Sequence, residues 1–378
     1  MTANGKHRFG DAFPEPLSDI LDDGFCHDMS PEEVELIDDM NREFSSSLLE
    51  LPETNSANDS DGTYRGRFMA GKEKEYDATI EAYHEMYQRK SCPHVHALQG
   101  CRMHASLRRD ANSGDVMVFG DSCRERWCPM CAGQKAKFAK EQTEIYVKSL
   151  KAPRFLTLTL RNEESDLKTQ VTFLQQSFAR IRSRAYWKKN VTGGIWFLQI
   201  KRGKNSGLWH PHLHILLDGN YMEQGRLSAL WELVTFGSPV IDIRRIHSAE
   251  SAAAYVARYT ARPAALADMP LADRVEVIEA LFRKRLCGTF GNGKTVTLTP
   301  PKVESDAEWD YIGSYDDIVK KAEKNPAAKA ILIAYNTYQP LTEQAFEDFT
   351  GHAPGFVSSF EPAPPKPKQL WLDFFNTA

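Results

Sequence analysis

Two short motifs in the middle of the chain could hold a metal ion and a nucleophile at one place. The first reads His-Pro-His-Leu-His and ends at His214, and the second reads Tyr-Val-Ala-Arg-Tyr and ends at Tyr259. Side chains two apart on a β-strand share a face, so His212 and His214 could bind one divalent ion. Side chains four apart on a helix share a face, so Tyr255 would point the same way as Tyr259. A metal that polarises a phosphate beside an attacking tyrosine is suited to covalent cleavage of nucleic acid.

Four cysteines upstream have the spacing of a structural zinc site. Cys128-Pro-Met-Cys131 is a Cys-x-x-Cys knuckle, Cys123 lies 5 residues before it, and Cys101 lies 22 residues before Cys123. Four thiolates can close a tetrahedral zinc site, so we expect these residues to hold Zn²⁺. Buried free cysteines or a redox-active pair are the alternatives. The fourth ligand stays open, because the same stretch also contains Cys92, His94, His96 and His104.

Charge is strongly segregated along the 378 residues, although the net charge is only −4. Residues 1–62 contain 3 Lys and Arg against 16 Asp and Glu, whereas residues 151–262 contain 17 against 8. A basic surface around a metal and a nucleophile suits a polyanionic substrate, although an ordinary solvated surface can have the same composition. No stretch approaches the roughly 18 to 20 apolar residues of a membrane span, and no signal peptide is recognisable. We therefore expect a cytoplasmic protein without a membrane partner.

The motifs fall on segments whose patterns predict an α+β fold. The expected strands cover residues 154–160, 195–201, 212–217 and 240–246. The expected helices cover residues 72–89, 134–150, 166–187, 225–234, 249–261, 271–286 and 315–337, with a Gly-rich turn at 288–294. This order fits a central antiparallel sheet flanked by helices and preceded by a Cys-rich zinc-binding module.

Composition divides the chain into four parts. Residues 1–62 are acidic and expected to be largely flexible, with one short helix opened by a capping box. Residues 63–150 carry a helix and the Cys-rich module, and residues 151–262 carry the His and Tyr motifs. Residues 263–378 are expected to form a helical extension with a Pro-rich tail.

A strand motif that reads Phe-Leu-Thr-Leu-Thr-Leu-Arg-Asn precedes the other two and makes the pattern specific. In this order, the three motifs resemble those of the HUH endonucleases, specifically the rolling-circle replication initiators (Rep proteins) of small plasmids and single-stranded DNA phages. The match in the first motif rests on Thr157, Thr159 and Asn162. A Cys-rich knuckle and a basic, Gly-rich segment at residues 283–294 also resemble plasmid initiators, so the likeness covers roughly residues 100–295.

The chain departs from the family pattern at two positions. Relatives commonly carry Glu in the strand before the His motif, where this chain has Gln199. An amide oxygen can still bind a divalent ion, and Asp218 or Asp242 is the alternative third ligand. The residue before the second tyrosine is usually Lys and here is Arg258. In some plasmid relatives a Glu replaces the first tyrosine, so the presence of Tyr255 favours the two-tyrosine type.

The resemblance implies metal-dependent, site-specific nicking and strand transfer of single-stranded DNA through a 5′-phosphotyrosine intermediate. Tyr259 aligns with the tyrosine shared by both types and is expected to attack first. Arg258 would assist it, and Mg²⁺ or Mn²⁺ would bind at the histidines and Gln199. His210 would support the site from beside a ligand or only brace the fold. The residues expected to bind DNA are Lys188, Lys189, Lys201, Arg202, Lys204 and Arg262.

The partners implied by the resemblance are single-stranded or cruciform origin DNA, a host helicase and a DNA polymerase, and a homodimer is compatible with it. The sequence has no phosphate loop of the helicase type, so unwinding would need a separate protein. Three alternatives remain open. They are a two-tyrosine transposase of an insertion sequence, a zinc-containing DNA-binding regulator without catalysis, and a zinc hydrolase that uses His210, His212 and His214.

Overall fold

Eight strands and twelve α-helices are formed by the part of the chain that the structure describes. This computed structural model describes residues 63–88, 91–203, 206–261, 264–299 and 308–355, with the backbone alone for residues 257–261. The strands are β1 (Ala105–Asp110), β2 (Val116–Gly120), β3 (Pro153–Thr159), β4 (Val191–Arg202), β5 (Trp209–Gly219), β6 (Ile241–Arg245), β7 (Cys287–Gly291) and β8 (Trp309–Ser314). The helix expected within residues 1–62 and the Pro-rich tail lie outside the described residues.

The helices alternate with these strands along most of the chain. They are α1 (Tyr64–Met69), α2 (Glu73–Met86), α3 (Pro93–Gln99), α4 (Pro129–Ser149), α5 (Leu167–Ser183), α6 (Ala185–Asn190), α7 (Gln224–Thr235), α8 (Ala249–Ala261), α9 (Leu271–Ala280), α10 (Tyr315–Lys321), α11 (Pro326–Thr337) and α12 (Glu343–Thr350). Two short 3₁₀ helices cover Leu266–Asp268 and Asn292–Thr295. The mixture of helices with antiparallel sheets confirms the predicted α+β class.

A five-stranded antiparallel sheet in the order β6-β3-β5-β4-β7 carries the His motif near its centre. Alternate residues of β3, which lies between β6 and β5, pack on opposite faces of the sheet. Leu156 and Leu158 lie with α5, α7 and α9 in one apolar layer. Phe155 lies on the other face, in a second layer beneath α4 and α8. Because the His motif shares this second face, α8 is held directly over it.

Two expected helices are each divided in two. The expected helix over residues 166–187 ends at Ser183 and restarts at Ala185, since Arg184 adopts an extended backbone (φ −73°, ψ 146°). The expected helix over residues 315–337 is interrupted before Pro326, where the Asn325 side chain accepts from two backbone N–H groups and caps a new helix.

The Gly-rich segment after α9 is a strand rather than the predicted turn. Residues of β7 pair with β4 and form an edge of the sheet, and the preceding expected helix ends at Ala280. Gly291 has a positive φ of 56°, and a Cβ there would collide with the backbone of Thr192 and Gly193. Glycine therefore permits the two backbones to approach closely. Because glycine is also common in turns, composition alone predicts a turn here.

A separate three-stranded antiparallel sheet has the order β2-β1-β8 and was not predicted. In the sequence, β1 and β2 precede the strands of the five-stranded sheet, and β8 follows them. Asp110 of β1 pairs with Trp309 of β8. Leu107, Val116 and Ile312 pack on α10 to α12 in a core of their own. The domain boundaries predicted at residues 150 and 262 remain predictions. Each sheet, however, combines strands from both sides of at least one of these boundaries.

None of the helices in the described parts of the chain is both long enough and apolar enough to cross a membrane.

Candidate active site

Three side chains on neighbouring strands meet beneath α8. His212 of β5 lies opposite Gln199 of β4 in the strand register, and His214 lies two residues further along the same face. The Nε2 atom of His214 is 2.7 Å from Oε1 of Gln199, and Nε2 of His212 also contacts that oxygen. All three side chains are buried. The structure thus brings the predicted ligands of the divalent ion to one point.

The environment favours neutral imidazoles, the form that binds metal ions. Burial lowers the pKa of His212 to about 3, with a further contribution from the charge of Lys201. Nδ1 of His212 is 3.1 Å from the His210 carbonyl, which can only accept, so the proton belongs on Nδ1 and the lone pair on Nε2. Nδ1 of His214 similarly contacts the Thr157 hydroxyl at 3.3 Å.

Two imidazole nitrogens and an amide oxygen therefore face a common position. The lone pairs of these three atoms would repel one another unless a cation lay between them. Sets of two imidazole nitrogens and one oxygen are common ligands of divalent ions. The residues present fit a divalent ion, with Gln199 as a neutral third ligand.

Tyr255 of α8 reaches the same position from above the sheet. Its side chain is buried, and its ring meets the His214 ring edge to face, with centroids 5.1 Å apart. Its hydroxyl oxygen is 3.5 Å from Nε2 of His214. Tyr259 and Arg258 belong to the same helix, but their side chains lie outside the described atoms. Tyr255 is thus adjacent to the candidate metal ligands.

The position of α8 follows from its sequence and its neighbours. Ser248 precedes the helix and its hydroxyl accepts from the Ser251 backbone N–H, while Glu250 in the first turn suits the helix dipole. Ala252 and Val256 are fully buried against the sheet and α4. Small residues on this face let the helix lie close to the histidines.

The supporting residues of the first motif surround the histidines. Thr159 lies opposite His212 in the register of β3 and β5. The Thr159 hydroxyl and the Asn162 side-chain oxygen are buried, and neither has a hydrogen-bond partner among the described residues. His210 is also buried. Its pKa is lowered to about 4 by burial and by the charge of Lys201. Its Nδ1 atom has no hydrogen-bond partner among the described residues.

The two alternative carboxylate ligands lie elsewhere. Asp218 is four residues beyond His214 on β5, roughly 13 Å along the strand, and accepts from Thr192 and Asn292. Asp242 opposes Thr157 in the register, so a whole strand separates it from His214. Its carboxylate is paired with Arg244 at 2.6 Å. Gln199 is therefore the third ligand that the geometry favours.

A cleft of about 240 Å³ leads from the surface to His214 and Tyr255. It lies between the end of β6 and the start of α8, and Phe155 and Thr157 are among its lining residues. Asp242, Arg244, Arg245, His247 and Ser251 also line it. None of these residues was among those predicted to bind DNA, although Arg244 and Arg245, two adjacent arginines shortly before α8, are a signal that could have identified them.

The residues predicted to bind DNA are scattered. Lys201 opposes His210 on the histidine side. Arg202 points to the other side, where its guanidinium stacks on Trp209 at 3.8 Å and pairs with Asp273 at 2.5 Å. Lys188 and Lys189 precede the start of β4, which is roughly 25 Å along the strand from the metal position. Lys204 and Arg262 lie outside the described residues. Of the four described candidates, only Lys201 adjoins the site.

The four predicted cysteines form a compact cluster that could hold a metal ion. The sulfur atoms of Cys101, Cys123, Cys128 and Cys131 all lie within 4.8 Å of one another. The Cys101–Cys131, Cys128–Cys101 and Cys123–Cys131 separations are 3.5, 3.7 and 3.8 Å. Tetrahedral zinc with Zn–S bonds of about 2.3 Å requires separations of about 3.8 Å. The cluster has the dimensions of a closed four-thiolate site.

Local structure explains how the cysteines come together. Cys128 is the N-cap of α4, Pro129 follows at the first helical position, and Cys131 lies in the first turn. The neighbouring thiols, that of Cys101 foremost, hold the pKa of Cys131 well below its usual range. A thiolate is the form that binds metals.

Comparisons with known proteins agree with one another. The family model Rep_1, described as replication protein, matches residues 116–340. A relative from Bacillus amyloliquefaciens named "Protein rep" is 26% identical over 208 residues, which cover 50% of this chain and 61% of the relative. A protein of the same name from a Bacillus species is 27% identical, and the match covers 39% of this chain and 54% of the relative. Another from Streptococcus pneumoniae serotype 2 is 28% identical, with 46% of this chain and 62% of the relative covered. The matched part spans about three fifths of these relatives, and no solved structure matches the chain.

Proposed function

The chain belongs to the Rep_1 family of replication proteins, and from this premise we propose that it initiates rolling-circle replication by nicking one DNA strand at an origin. The proposed reaction is a metal-dependent, site-specific cleavage of single-stranded DNA, in which a tyrosine becomes covalently joined to the 5′-phosphate. Residues 151–262 would supply most of the active site. A plasmid is the proposed replicon, since Rep proteins of this kind are the relatives that match.

The observation that carries this proposal is the convergence of His212, His214, Gln199 and Tyr255. Two imidazole nitrogens face one amide oxygen, and a phenol hydroxyl lies 3.5 Å from one of those nitrogens. A regulator that only bound DNA would not require buried histidines directly beneath a tyrosine helix. The arrangement suits phosphoryl transfer, where a cation and a nucleophile must reach the same phosphate.

Tyr259 is the proposed initiating nucleophile, because the resemblance assigns the shared tyrosine to that position. Its phenol oxygen would attack the scissile phosphorus and lose its proton to a nearby base or solvent. The bond from phosphorus to the 3′-oxygen breaks as the new bond forms, and that oxygen leaves as a 3′-hydroxyl after taking up a proton. A phenol has a pKa near 10, so positive charge from Arg258 or Lys201 would help the deprotonation.

His212, His214 and Gln199 would hold the divalent ion. When bound, Mg²⁺ or Mn²⁺ supplies positive charge that polarises the scissile phosphate. The His210 carbonyl orients His212, and the Thr157 hydroxyl contacts Nδ1 of His214. If Thr157 accepts from that nitrogen, both Nε2 lone pairs would face the ion. Burial of these residues beneath α8 excludes competing water from the protein side of the reaction.

Tyr255 would perform the second cleavage. After one round of synthesis, its hydroxyl would attack the regenerated junction while the first tyrosine still carries the strand. The free 3′-hydroxyl released by that cleavage would then attack the first phosphotyrosine, which re-forms a phosphodiester and returns the phenol. The adjacency of Tyr255 to His214 supports this role over simple packing.

The Cys cluster would hold a structural Zn²⁺ that braces the start of α4. The proposed DNA substrate is a single-stranded or cruciform origin, and the 3′-hydroxyl would prime a host polymerase. A separate helicase would unwind the duplex. These partners follow from the family resemblance, and a homodimer is compatible with it.

The test is the formation of a covalent protein–DNA adduct on a denaturing gel. Wild-type protein is incubated with Mn²⁺ and end-labelled single-stranded DNA from a randomised pool, beside Tyr259→Phe, Tyr255→Phe and the double variant. We expect Tyr259→Phe to lose most of the initial adduct and the double variant to lose all of it. Tyr221→Phe, which changes an exposed tyrosine away from the site, is the matched control and should behave as wild type.

Two results would redirect the assignment. An adduct that persists in the double variant would remove the tyrosines from the chemistry. DNA binding without any adduct, with every divalent metal tried, would favour the non-catalytic regulator. A transposase would also form the adduct, but it would join DNA only at the ends of a mobile element. The family match favours replication over that alternative.

A further inference from the structure

The cleft between the end of β6 and the start of α8 adjoins the proposed reaction centre without being part of the metal-binding set. At its inner end lie His214 and Tyr255, and its volume is about 240 Å³. This is below the roughly 300–1,000 Å³ of pockets for drug-sized ligands, so it has room for one ring system rather than for a length of chain. The cleft opens to solvent at residues 245, 247 and 248, which are exposed.

The inner walls of the cleft are apolar and aromatic. Phe155 and Tyr255 meet edge to face, with ring centroids 5.6 Å apart, and both rings line the space. Aromatic walls of this kind hold planar bases that have left their stack. A phosphate alone would gain nothing from such walls.

The polar groups of the cleft lie on its sheet side. The Asp242 carboxylate accepts from Nε of Arg244 at 2.7 Å, and the pair stays on the face that lines the cleft. The carboxylate is 15% exposed and the guanidinium 36% exposed. The pair therefore offers an acceptor and donors side by side, which complements the mixed donor and acceptor edge of a nucleobase.

The charges at the mouth suit the backbone of the same strand. Arg244 and Arg245 both line the cleft, and the first turn of α8 begins there with Ser248 and Ser251. A polyanionic strand that enters the site would have its phosphates next to these cations while one base turns inward. The basic mouth thus suits the phosphate of a nucleotide, and the aromatic interior suits its base.

We propose that this cleft binds a single unstacked base of the DNA strand, next to the scissile phosphate, and that it sets the base preference of cleavage at that position. The inference rests on the proposed nicking function. Phe155 and Tyr255 would contact the faces or edges of the base, and the Asp242–Arg244 pair would contact its polar edge. Binding there would fix the register of the scissile phosphate beneath α8.

The experiment compares abasic substrates with variants that alter the cleft. A strand that the full-length wild-type protein joins covalently is first isolated from the randomised single-stranded pool. Each base near the nick is then replaced, one at a time, by an abasic site, and the rate of adduct formation with Mn²⁺ is measured. We expect one position beside the nick to lower the rate roughly tenfold, the size of a lost base-stacking contact.

The variant Ser251→Phe should fill the cleft, and Arg244→Gln should remove one of its two arginine cations, the one paired with Asp242, without filling it. In both variants, we expect the abasic substitution at that position to have no further effect, because the base is no longer held. Ser183→Phe and Arg226→Ala, both exposed and on the other side of the sheet, are the matched controls and should keep the wild-type abasic profile.

The outcomes separate this inference from the proposed function. If the wild-type protein forms no adduct with any strand, the proposed function fails. If adducts form but no neighbouring abasic position matters, or the tenfold penalty persists in both cleft variants, the base-binding cleft is wrong. Should Ser251→Phe lower the melting temperature or fail to react, Arg244→Gln alone decides, because it leaves the space unfilled.

Discussion

The Cys cluster and the proposed His–His–Gln site differ in the number and the kind of their candidate ligands. The Cys cluster joins four thiols within 4.8 Å of one another, enough to close a tetrahedral coordination shell. The second site offers two imidazoles and an amide, all neutral, at the inner end of a cleft. A closed shell leaves no place for a substrate oxygen, whereas three protein ligands leave open positions. The ligand count therefore supports the proposal that the first site is a brace and the second a reaction centre.

The two sites also differ in how strongly the fold depends on them. Three cysteines of the cluster, Cys101, Cys123 and Cys128, lie outside the helices and strands, in the segments between α3 and α4. The His–His–Gln site lies on two strands that pair along their whole length and hold their geometry without any ion. We expect loss of metal to unfold the first region and only to inactivate the second.

The largest effect should come from breaking the Cys cluster. Cys128→Ser removes one thiolate and, because structural zinc contributes directly to folding, should lower the melting temperature by roughly 10 °C or more. Thermal denaturation and the zinc content measured by mass spectrometry are the readouts. Cys287→Ser, a thiol outside the cluster, is the matched control and should retain the zinc. An unchanged melting temperature in Cys128→Ser would erase the contrast between the two sites.

A smaller effect should appear when the His region is acidified. The pKa of His210 is lowered from about 6.5 to about 4, so the folded state resists protonation that the unfolded state accepts. The stability from this group is complete above pH 6.5 and is lost as the pH falls towards 4. Between pH 7 and 5 the wild type should lose about 2 kcal/mol from His210 alone.

The variant His210→Gln isolates that contribution, because an amide does not titrate. Its fall in melting temperature between pH 7 and 5 should be smaller than that of the wild type, in metal-free buffer. Parallel curves for His210→Gln and wild type would contradict a neutral, buried His210.

The smallest expected effect tests the neutral ligand. Gln199→Glu adds a charge between the two imidazoles, so half-maximal adduct formation should require about tenfold less Mn²⁺. Gln176→Glu makes the same change on the exposed surface of α5 and should leave the requirement unaltered. A Gln199→Glu protein with an unchanged metal requirement would place Gln199 outside the ion's ligands.

Local sequence patterns were sufficient to predict the His and Tyr motifs. They were not sufficient to predict on which face of the sheet each basic side chain lies. The two histidines and the helix with Tyr255 could be predicted because strand and helix periods act over a few residues. Lys201 and Arg202 are adjacent and equally basic, yet they point to opposite faces of β4, and only Lys201 adjoins the histidines. Arg202 therefore stacks on Trp209 and pairs with Asp273, which its charge alone could not reveal.

Long-range pairing was the other limit. The Gly-rich segment of β7 resembles a turn by composition, and becomes a strand only because β4 offers it a partner. The sheet of β1, β2 and β8 depends on residues that lie far apart in the sequence. Lys188 and Lys189 could be counted as basic, but their distance from the reaction centre depends on the length of β4. Each of these features is a tertiary effect that no local pattern contains.

The pairing of Asp110 with Trp309 has a consequence for synthesis of the protein on the ribosome. These partners are 199 residues apart, so at roughly 5 to 20 residues per second β1 would wait about 10 to 40 s for β8. By then the Cys cluster and the five strands of the larger sheet have all been translated. During that interval β1 keeps an open edge that can pair with another chain. A nascent chain halted between these points would contain all five strands of the larger sheet beside a smaller sheet that lacks β8 and can pair with another chain.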